Sequence, residues 1–249
     1  MKLSNRLEMV VSFVKPGESA ADVGTDHGHV PVELVRRGIV KRAYAMDVRK
    51  GPLSKAEENI AAARMKEKIE TRLSDGVQKL SAGEAESVII AGMGGELVIH
   101  IMEEGRHVWD TVEQWVLSPH SELHKVREWL EKNDFVIVKE DMIFEEGKFY
   151  TVMDVRKADD QNEISREDDE HTAESRYRDG SDLRITKHNV FLDFLKDEEG
   201  KLLTLKGNLE KQAVQSERAK ESLKEVEEKL SLNREVAAND TRAIYTLIS

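Results

Sequence analysis

The chain has 249 residues, 39% hydrophobic and 35% charged, which is room for one large domain or two smaller ones with an adequate core. No apolar run approaches the roughly 18 residues of a membrane-spanning helix, and the absence of cysteine excludes a disulfide framework and thiolate metal ligands. A net charge of −11 argues at first against a nucleic-acid partner, but the charge is unevenly spread.

In chain order, strand-like runs alternate with helical patterns. The opening MKLSNRLEMVVSFVKPGES has a short apolar run interrupted by Glu8 and no small-residue cleavage site. It reads as a helix packed on a domain rather than a signal peptide. Ser4 is placed to cap that helix, whose apolar side carries Leu7, Val10, Val11 and Val14. Residues 19–23 read as a strand, followed by a helix through Val32, Leu34 and Val35 that Gly38 can end. A second strand at 42–46 leads into a helix with Pro52 in its first turn, running to about residue 66. Strands at 69–73, 87–91 and 114–117 follow, with helices at roughly 77–82, 95–104 and 121–132. Such alternation predicts a parallel sheet with helices on both faces. Residues 135–139 and 149–156 are strands without an intervening helix, and Glu145-Glu146-Gly147-Lys148 reads as a hairpin turn.

Residues 157–186 carry ten acids against five bases and read as an acidic linker or loop. Beyond it Leu195, Leu202, Leu205, Leu209, Ala219, Leu223, Val226 and Leu230 recur at spacings of three and four. That is a coiled-coil seam with polar interruptions at Gln212 and Ser216. Asn233 is placed to break it, with 236–247 folding back as a second helix. The expected organisation is therefore a Rossmann-like α/β domain over 1–156, the linker, and a C-terminal α-helical coiled-coil domain over 187–249. That last domain is either a structural helical hairpin or an arm for a partner.

The chemistry gathers at the predicted strand ends, where open α/β sheets bind their ligands. Ala21-Asp22-Val23-Gly24-Thr25-Asp26-His27-Gly28 lies where the first strand meets the first helix of the alternation. Its spacing is not G-x-G-x-x-G, so a dinucleotide loses ground to a cofactor without a pyrophosphate. Gly24 admits a ligand close to the backbone, and Asp22 can pair with a cationic amino-acid end, directly or through water. Asp47 ends the second strand, 25 residues on, where an acid accepts both ribose hydroxyls of an adenosine. Asp75 is placed to accept from an adenine amino group. Gly92-Met93-Gly94-Gly95 leaves room beside a sulfonium. Thr25, Val48 and Gly76, adjacent in the chain, complete the set. The pattern, a parallel sheet closed by an antiparallel hairpin, is that of a class I methyltransferase using S-adenosyl-L-methionine.

Several segments resemble the TrmK family of bacterial tRNA methyltransferases. They are ADVGTDHGHVP from Ala21, AGMGGE from Ala91, LSPHSELHKVREWL from Leu117 and EDMIFEEGKFYTV from Glu140. LSNRLEMVVSFV from Leu3 and NVFLDFL from Asn189 also match. The resemblance implies methylation of N1 of adenosine 22 in the D arm of tRNA. The family usually has an aromatic residue, typically tyrosine, at the position of His29, and asparagine or another residue at that of His120, after Pro119. The departures leave the cofactor residues intact and fall where the target base would be stacked and oriented.

Adenine N1 attacks through an in-plane lone pair and needs no prior deprotonation, so alignment is the main requirement. The base must be extruded to expose N1. Asp26 and His27, beside the cofactor loop, are the candidates for orienting the base and balancing the product's charge. Pro119, His120 and His29 are candidate substrate contacts. The competing readings are Asp26 as a helix cap, His27 as a structural histidine, and His29 and His120 as surface residues. Arg36, Arg37, Lys41, Arg42, Arg49, Lys50 and Lys55 form a basic segment, expected close to Asp47, that is either a tRNA phosphate face or a solvated surface. No metal site and no membrane contact are expected, and a cytoplasmic monomer is favoured. Competing functions are a class I methyltransferase acting on another RNA or on a protein, and a non-catalytic coiled-coil binding protein. Gly92-Met93-Gly94-Gly95 stands where amino-group adenine methyltransferases carry Asp/Asn-Pro-Pro-aromatic, which weakens an N6 assignment.

Overall fold

The structure, a computed structural model, describes residues 3–158, 188–213 and 216–248. The chain divides into two compact units, Met1–Gly180 and Ser181–Ser249. The acidic stretch expected at 157–186 lies outside the described residues apart from its first two positions.

In the first unit, α1 (Asn5–Phe13) starts at Ser4, whose Oγ accepts the N–H of Leu7 at 3.3 Å, and buries Met9, Val10, Val11 and Phe13. There follow β1 (Gly17–Val23), α2 (His29–Arg36), β2 (Val40–Asp47), α3 (Lys50–Ala62) and β3 (Ile69–Leu73). Then come β4 (Ser87–Met93), α4 (Gly95–Glu104), β5 (Gln114–Pro119), α5 (Leu123–Lys132) and the hairpin β6 (Phe135–Glu145) and β7 (Lys148–Lys157). The seven strands form one sheet in the order β3-β2-β1-β4-β5-β7-β6. The first five are parallel, and β7 runs antiparallel to both β5 and β6. The chain winds outward from β1 to β3, then returns to place β4 on the other side of β1. That reversal opens a crevice above the carboxyl ends of β1 and β4.

The central strands are apolar on both faces because helices cover both. Along β4, Ile89 packs with α1, α2 and α3, while Val88 and Ile90 pack with α4 and α5. Val116 and its neighbours Trp115 and Leu117 divide in the same way, as a period-two strand requires. Each such fully buried side chain contributes about 1.5–3 kcal/mol relative to exposure. Arg127 of α5 and Glu140 of β6 form a buried ion pair at 2.8 Å.

Four local expectations are corrected. Residues 77–82 are turns rather than a helix. Gly76 and Gly83 both adopt positive φ, and the segment is held by short-range bonds such as Leu80 N–H to Val77 O, with Val77 and Leu80 buried. Helix α3 ends at Ala62, before residue 66, because Arg64 takes φ +58° and the Met65 N–H closes back on Ile60 O. Strand β6 continues from 139 to 145, its polar Glu140 and Asp141 paired across to Met153 and Val152.

The fourth correction concerns the second unit, formed by α6 (His188–Ala213) and α7 (Glu217–Ile248). The first of these helices ends at Ala213, just past Gln212, the second begins just after Ser216, and it continues through Asn233. The Asn233 amide is buried and donates to Leu195 O at 3.2 Å, so a polar residue is satisfied across the interface and the helix need not break. Lys206–Glu227 and Arg234–Glu199 ion pairs show that the two helices run antiparallel. Among the described residues, no helix is long and apolar enough to cross a membrane, and no group of three or more histidines and acids is arranged to hold a metal ion.

Candidate active site

The crevice at the β1/β4 reversal is a cleft of about 460 Å3, inside the range of about 300–1,000 Å3 for small-molecule sites. Its floor is the β1–α2 loop. Gly24 takes φ +76° so that both it and Thr25 donate to Met46 O, at 2.8 and 2.9 Å, which pins the loop to the end of β2. A side chain at position 24 would collide with the Met93 methyl, which lies against the open face of the glycine. Asp22 sits beneath the cleft within the sheet, and burial, with the negative charge of Asp47 adding to it, pushes its carboxyl up to about 6.

Asp47, Val48 and Arg49 line the cleft from β2. The Asp47 side chain is buried, and its Oδ1 accepts the Arg49 N–H at 2.7 Å. Its Oδ2 makes no hydrogen bond among the described residues. Val48 is 59% exposed and Leu97 of α4 is 46% exposed, so two apolar side chains border this end without being buried by protein. From the next strand Ser74 and Gly76 reach the cleft, whereas Asp75 is exposed and does not line it.

On the other side, Gly92 at φ +84° and Met93 end β4, and Gly94 caps α4 against Ser121. Pro119 ends β5 and is buried, and the next residue, His120, donates its N–H to Met93 O at 2.8 Å. The His120 Nε2 lies 3.2 Å from Arg6 Nη1, and the Arg6 guanidinium lies over the Tyr150 ring, 5.3 Å from its centre. Much of His120 is solvent-accessible, yet its ring is flanked by Arg6 and Tyr150. That partial burial, ahead of the charges of Arg6 and Lys148, holds the imidazole below the ordinary histidine range.

Helix α2 is capped by Gly28 in the left-handed region with no side-chain bond, so Asp26 is not the helix cap. Asp26 lines the cleft with its side chain 75% exposed, and its Oδ2 lies 3.5 Å from His27 Nε2. The His27 ring stacks on His29 at 5.2 Å with planes 12° apart. Burial, then the nearby His27, keeps His29 below the ordinary range, and its Nδ1 is buried without a partner among the described residues.

The first four bases of the basic segment lie elsewhere. Arg36 and Arg37 end α2 and Lys41 and Arg42 begin β2, at the amino edge of the sheet. Asp47 lies six strand steps beyond Lys41, roughly 20 Å, so these four bases are not beside the cofactor end, contrary to what their closeness in sequence suggested. Arg36 pairs with Glu33, Arg37 with both Glu8 and Glu33, and Lys41 with Glu18. Arg42 is exposed.

Arg49, expected in the basic segment beside Asp47, does line the cleft, whereas Arg6, Ser74, Leu97 and Ile101 are cleft residues that no sequence signal singled out. Arg6 lay in a segment already noticed, LSNRLEMVVSFV. Helical periodicity marked that segment as packing, and nothing local ties residue 6 to residues 120 and 150.

A family model described as a methyltransferase domain matches residues 3–153. The chain is 30% identical over 236 residues to the tRNA (adenine(22)-N(1))-methyltransferase of Bacillus subtilis (strain 168), covering 95% of this chain and 97% of that protein. Its fold superposes on the crystal structure of B. subtilis TrmK with TM-score 0.81 at 30% identity, over 95% of this chain and 99% of the other. It superposes on Streptococcus pneumoniae Sp1610, solved in complex with S-adenosyl-L-methionine, with TM-score 0.79 at 33% identity, over 95% and 100% of the two chains. With matches of this extent at both the sequence and the structural level, the chain belongs to the TrmK family of methyltransferases.

Proposed function

We propose that this protein transfers the methyl group of S-adenosyl-L-methionine to N1 of adenosine 22 in tRNA. The observation that carries the reading is the single cleft into which β1, β2 and β4 deliver Gly24, Asp47 and Gly92 above a buried Asp22. It is found on a chain that matches the B. subtilis tRNA enzyme over 95% of its length. The groups present fit the cofactor. Asp22 is a carboxylate buried without a cation, as an ammonium group requires. The Asp47 Oδ2 is left for ribose hydroxyls. Val48 and Leu97 are two apolar surfaces between which an adenine can lie. Asp75 would need to turn inward to reach the adenine amino group, and Ser74 and Gly76 are nearer. Thr25, Met93 and Gly94 support the loops rather than supply charge.

When bound, the cofactor supplies an electrophilic methyl group on a sulfonium sulfur. The N1 lone pair forms the new N–C bond as the C–S pair leaves with sulfur, and no proton is lost from N1. The residues of this chain therefore align and stabilise. Asp26 accepts from the exocyclic amine and opposes the positive charge that develops on the base. The stacked His27–His29 pair offers a flat surface to the extruded adenine, with His120 bounding the other side of the opening and the buried Pro119 fixing the end of β5 behind it. The antiparallel α6–α7 pair acts as a coiled-coil arm that orients the tRNA, and the enzyme works where tRNA is, in the cytoplasm.

Incubation of the protein with radiolabelled cofactor and total tRNA, followed by nuclease digestion, tests the proposal. The expected product is N1-methyladenosine at position 22. Label in another nucleoside, or none, would overturn it.

A further inference from the structure

Arg6 is a cation that lines the cleft at the carboxyl ends of the strands. Its guanidinium has no carboxylate partner among the described residues, whereas the side chains of Arg36, Arg37, Lys41 and Arg72 are all ion-paired. Yet its backbone is anchored at one point and its guanidinium is held from two directions. Its backbone N–H, with that of Asn5, is bound by the Glu145 carboxylate at the β6–β7 turn, at 3.1 and 2.7 Å. Its Nη1 donates to His120 Nε2, and its plane rests over Tyr150. A Cβ at Gly92 would lie 3.5 Å from Arg6 Nη1, so the group overlooks the β4 end of the cleft. Of the five N–H donors of a guanidinium, one is used. A charged group that lines an open cleft between neutral neighbours, with most of its donors unused, is arranged for an anion that the protein does not supply.

We propose that Arg6, positioned by His120 and Tyr150, binds a phosphate flanking the target adenosine and so holds the extruded nucleotide over the cleft. The inference rests on the tRNA reading above. Arg6 occupies the acceptor half of the crevice: its partners come from β5 and β7, across β4 from the Asp47 end. Lys148, at the start of β7, adds a second positive charge beside the same imidazole. Two cations around one neutral ring suit a nucleic-acid backbone better than the single carboxylate of an amino acid, whose ammonium they would repel. Because His120 Nε2 accepts from Arg6, the ring proton is on Nδ1, which leaves one more donor. Rotating a nucleotide out of its stack brings its own phosphates to the rim of the pocket that takes the base.

The test uses the full chain, Arg6→Gln and Arg6→Lys, with tRNA carrying either its natural linkages or a neutral methylphosphonate on one side of adenosine 22. Arg6→Gln should weaken tRNA binding by roughly tenfold to a hundredfold, the range for losing a hydrogen bond to a charged group. It should lower the salt slope by about one counterion, and Arg6→Lys should recover part of both. Cofactor affinity measured by calorimetry should be unchanged in both variants. The neutral linkage that weakens binding to the wild type should cause no further loss with Arg6→Gln. Equal losses in the two proteins would overturn the inference. A drop in cofactor affinity matching the loss in tRNA binding would also overturn it, and would assign Arg6 to the cofactor carboxylate. Wild-type protein that leaves adenosine 22 unmethylated would remove the functional reading itself. Methylation by the wild type that Arg6→Gln retains, with an unaltered KM for tRNA, would remove only the role of Arg6.

Discussion

The two edges of the sheet treat charge in opposite ways. At the amino edge, where β2 begins, cations are dense and nearly every one is matched: Glu33, Glu8 and Glu18 meet Arg36, Arg37 and Lys41. At the carboxyl edge charges are fewer and only partly matched: Asp22 is buried with no cation beside it, Asp47 meets Arg49 through Oδ1 alone, and the Arg6 guanidinium has no acid partner among the described residues. Binding energy for a ligand is available at the second edge and already committed at the first. A run of bases is therefore a weak guide to a nucleic-acid face until the acids that fold against it are known.

Breaking the carboxyl edge should have the largest effect. Asp26→Ala should lower the single-turnover rate of methyl transfer by about a hundredfold to a thousandfold, the scale for losing one preorganised electrostatic contact. Its cofactor Kd should stay near the wild-type value, and equal losses in both would make Asp26 a cofactor or structural residue. Asp47→Ala, which deletes the unshared Oδ2, should weaken S-adenosyl-L-methionine by about 1–3 kcal/mol in calorimetry. An unchanged Kd would place the ribose elsewhere.

A smaller, graded effect follows from Asp22. Its carboxyl titrates near 6 in the absence of ligand, above the ordinary value of 3.8. A bound ammonium favours the ionised form and lowers that value, so binding below pH 6 must release a proton. Cofactor affinity should be flat above about pH 6 and fall by up to about tenfold per pH unit beneath it. Asp22→Asn should abolish that slope, and a slope that persists in the variant would point to another group. The smallest effect belongs to the amino edge. Replacing Arg36, Arg37, Lys41 and Arg42 together by glutamine should change the salt slope of tRNA binding by less than Arg6→Gln alone, because three of the four already have acid partners. A larger change would restore this edge as a tRNA face.

The fold was legible because its signals are local. Period-two runs such as Val88–Ile90, the cap at Ser4 and the turn at Gly147 each act within a few residues. The left-handed Arg64 and the crossed amide of Asn233 were not legible, since one is a backbone conformation without glycine and the other depends on a helix 38 residues away. The residues that β1, β2 and β4 bring to the cleft could be singled out because strand-end acids and glycines recur in chain order, although Asp75, chosen on the same pattern, does not line it. The acceptor end is assembled from residues 6, 120 and 150, and no pattern within a window of sequence joins them.

That long-range assembly sets the order in which the site is made during synthesis. The bonds from Asn5 and Arg6 to Glu145 span about 140 residues, and contacts of such separation form late because a long loop must close first. A nascent chain that has released only β1 to β4 can shape the adenosine half of the cleft. It cannot seat the first turn of α1 until the final hairpin has been translated and paired. The growing polypeptide therefore acquires a pocket for its methyl donor before it acquires a place for the acceptor, and the β6–β7 hairpin is the piece whose arrival completes the cleft.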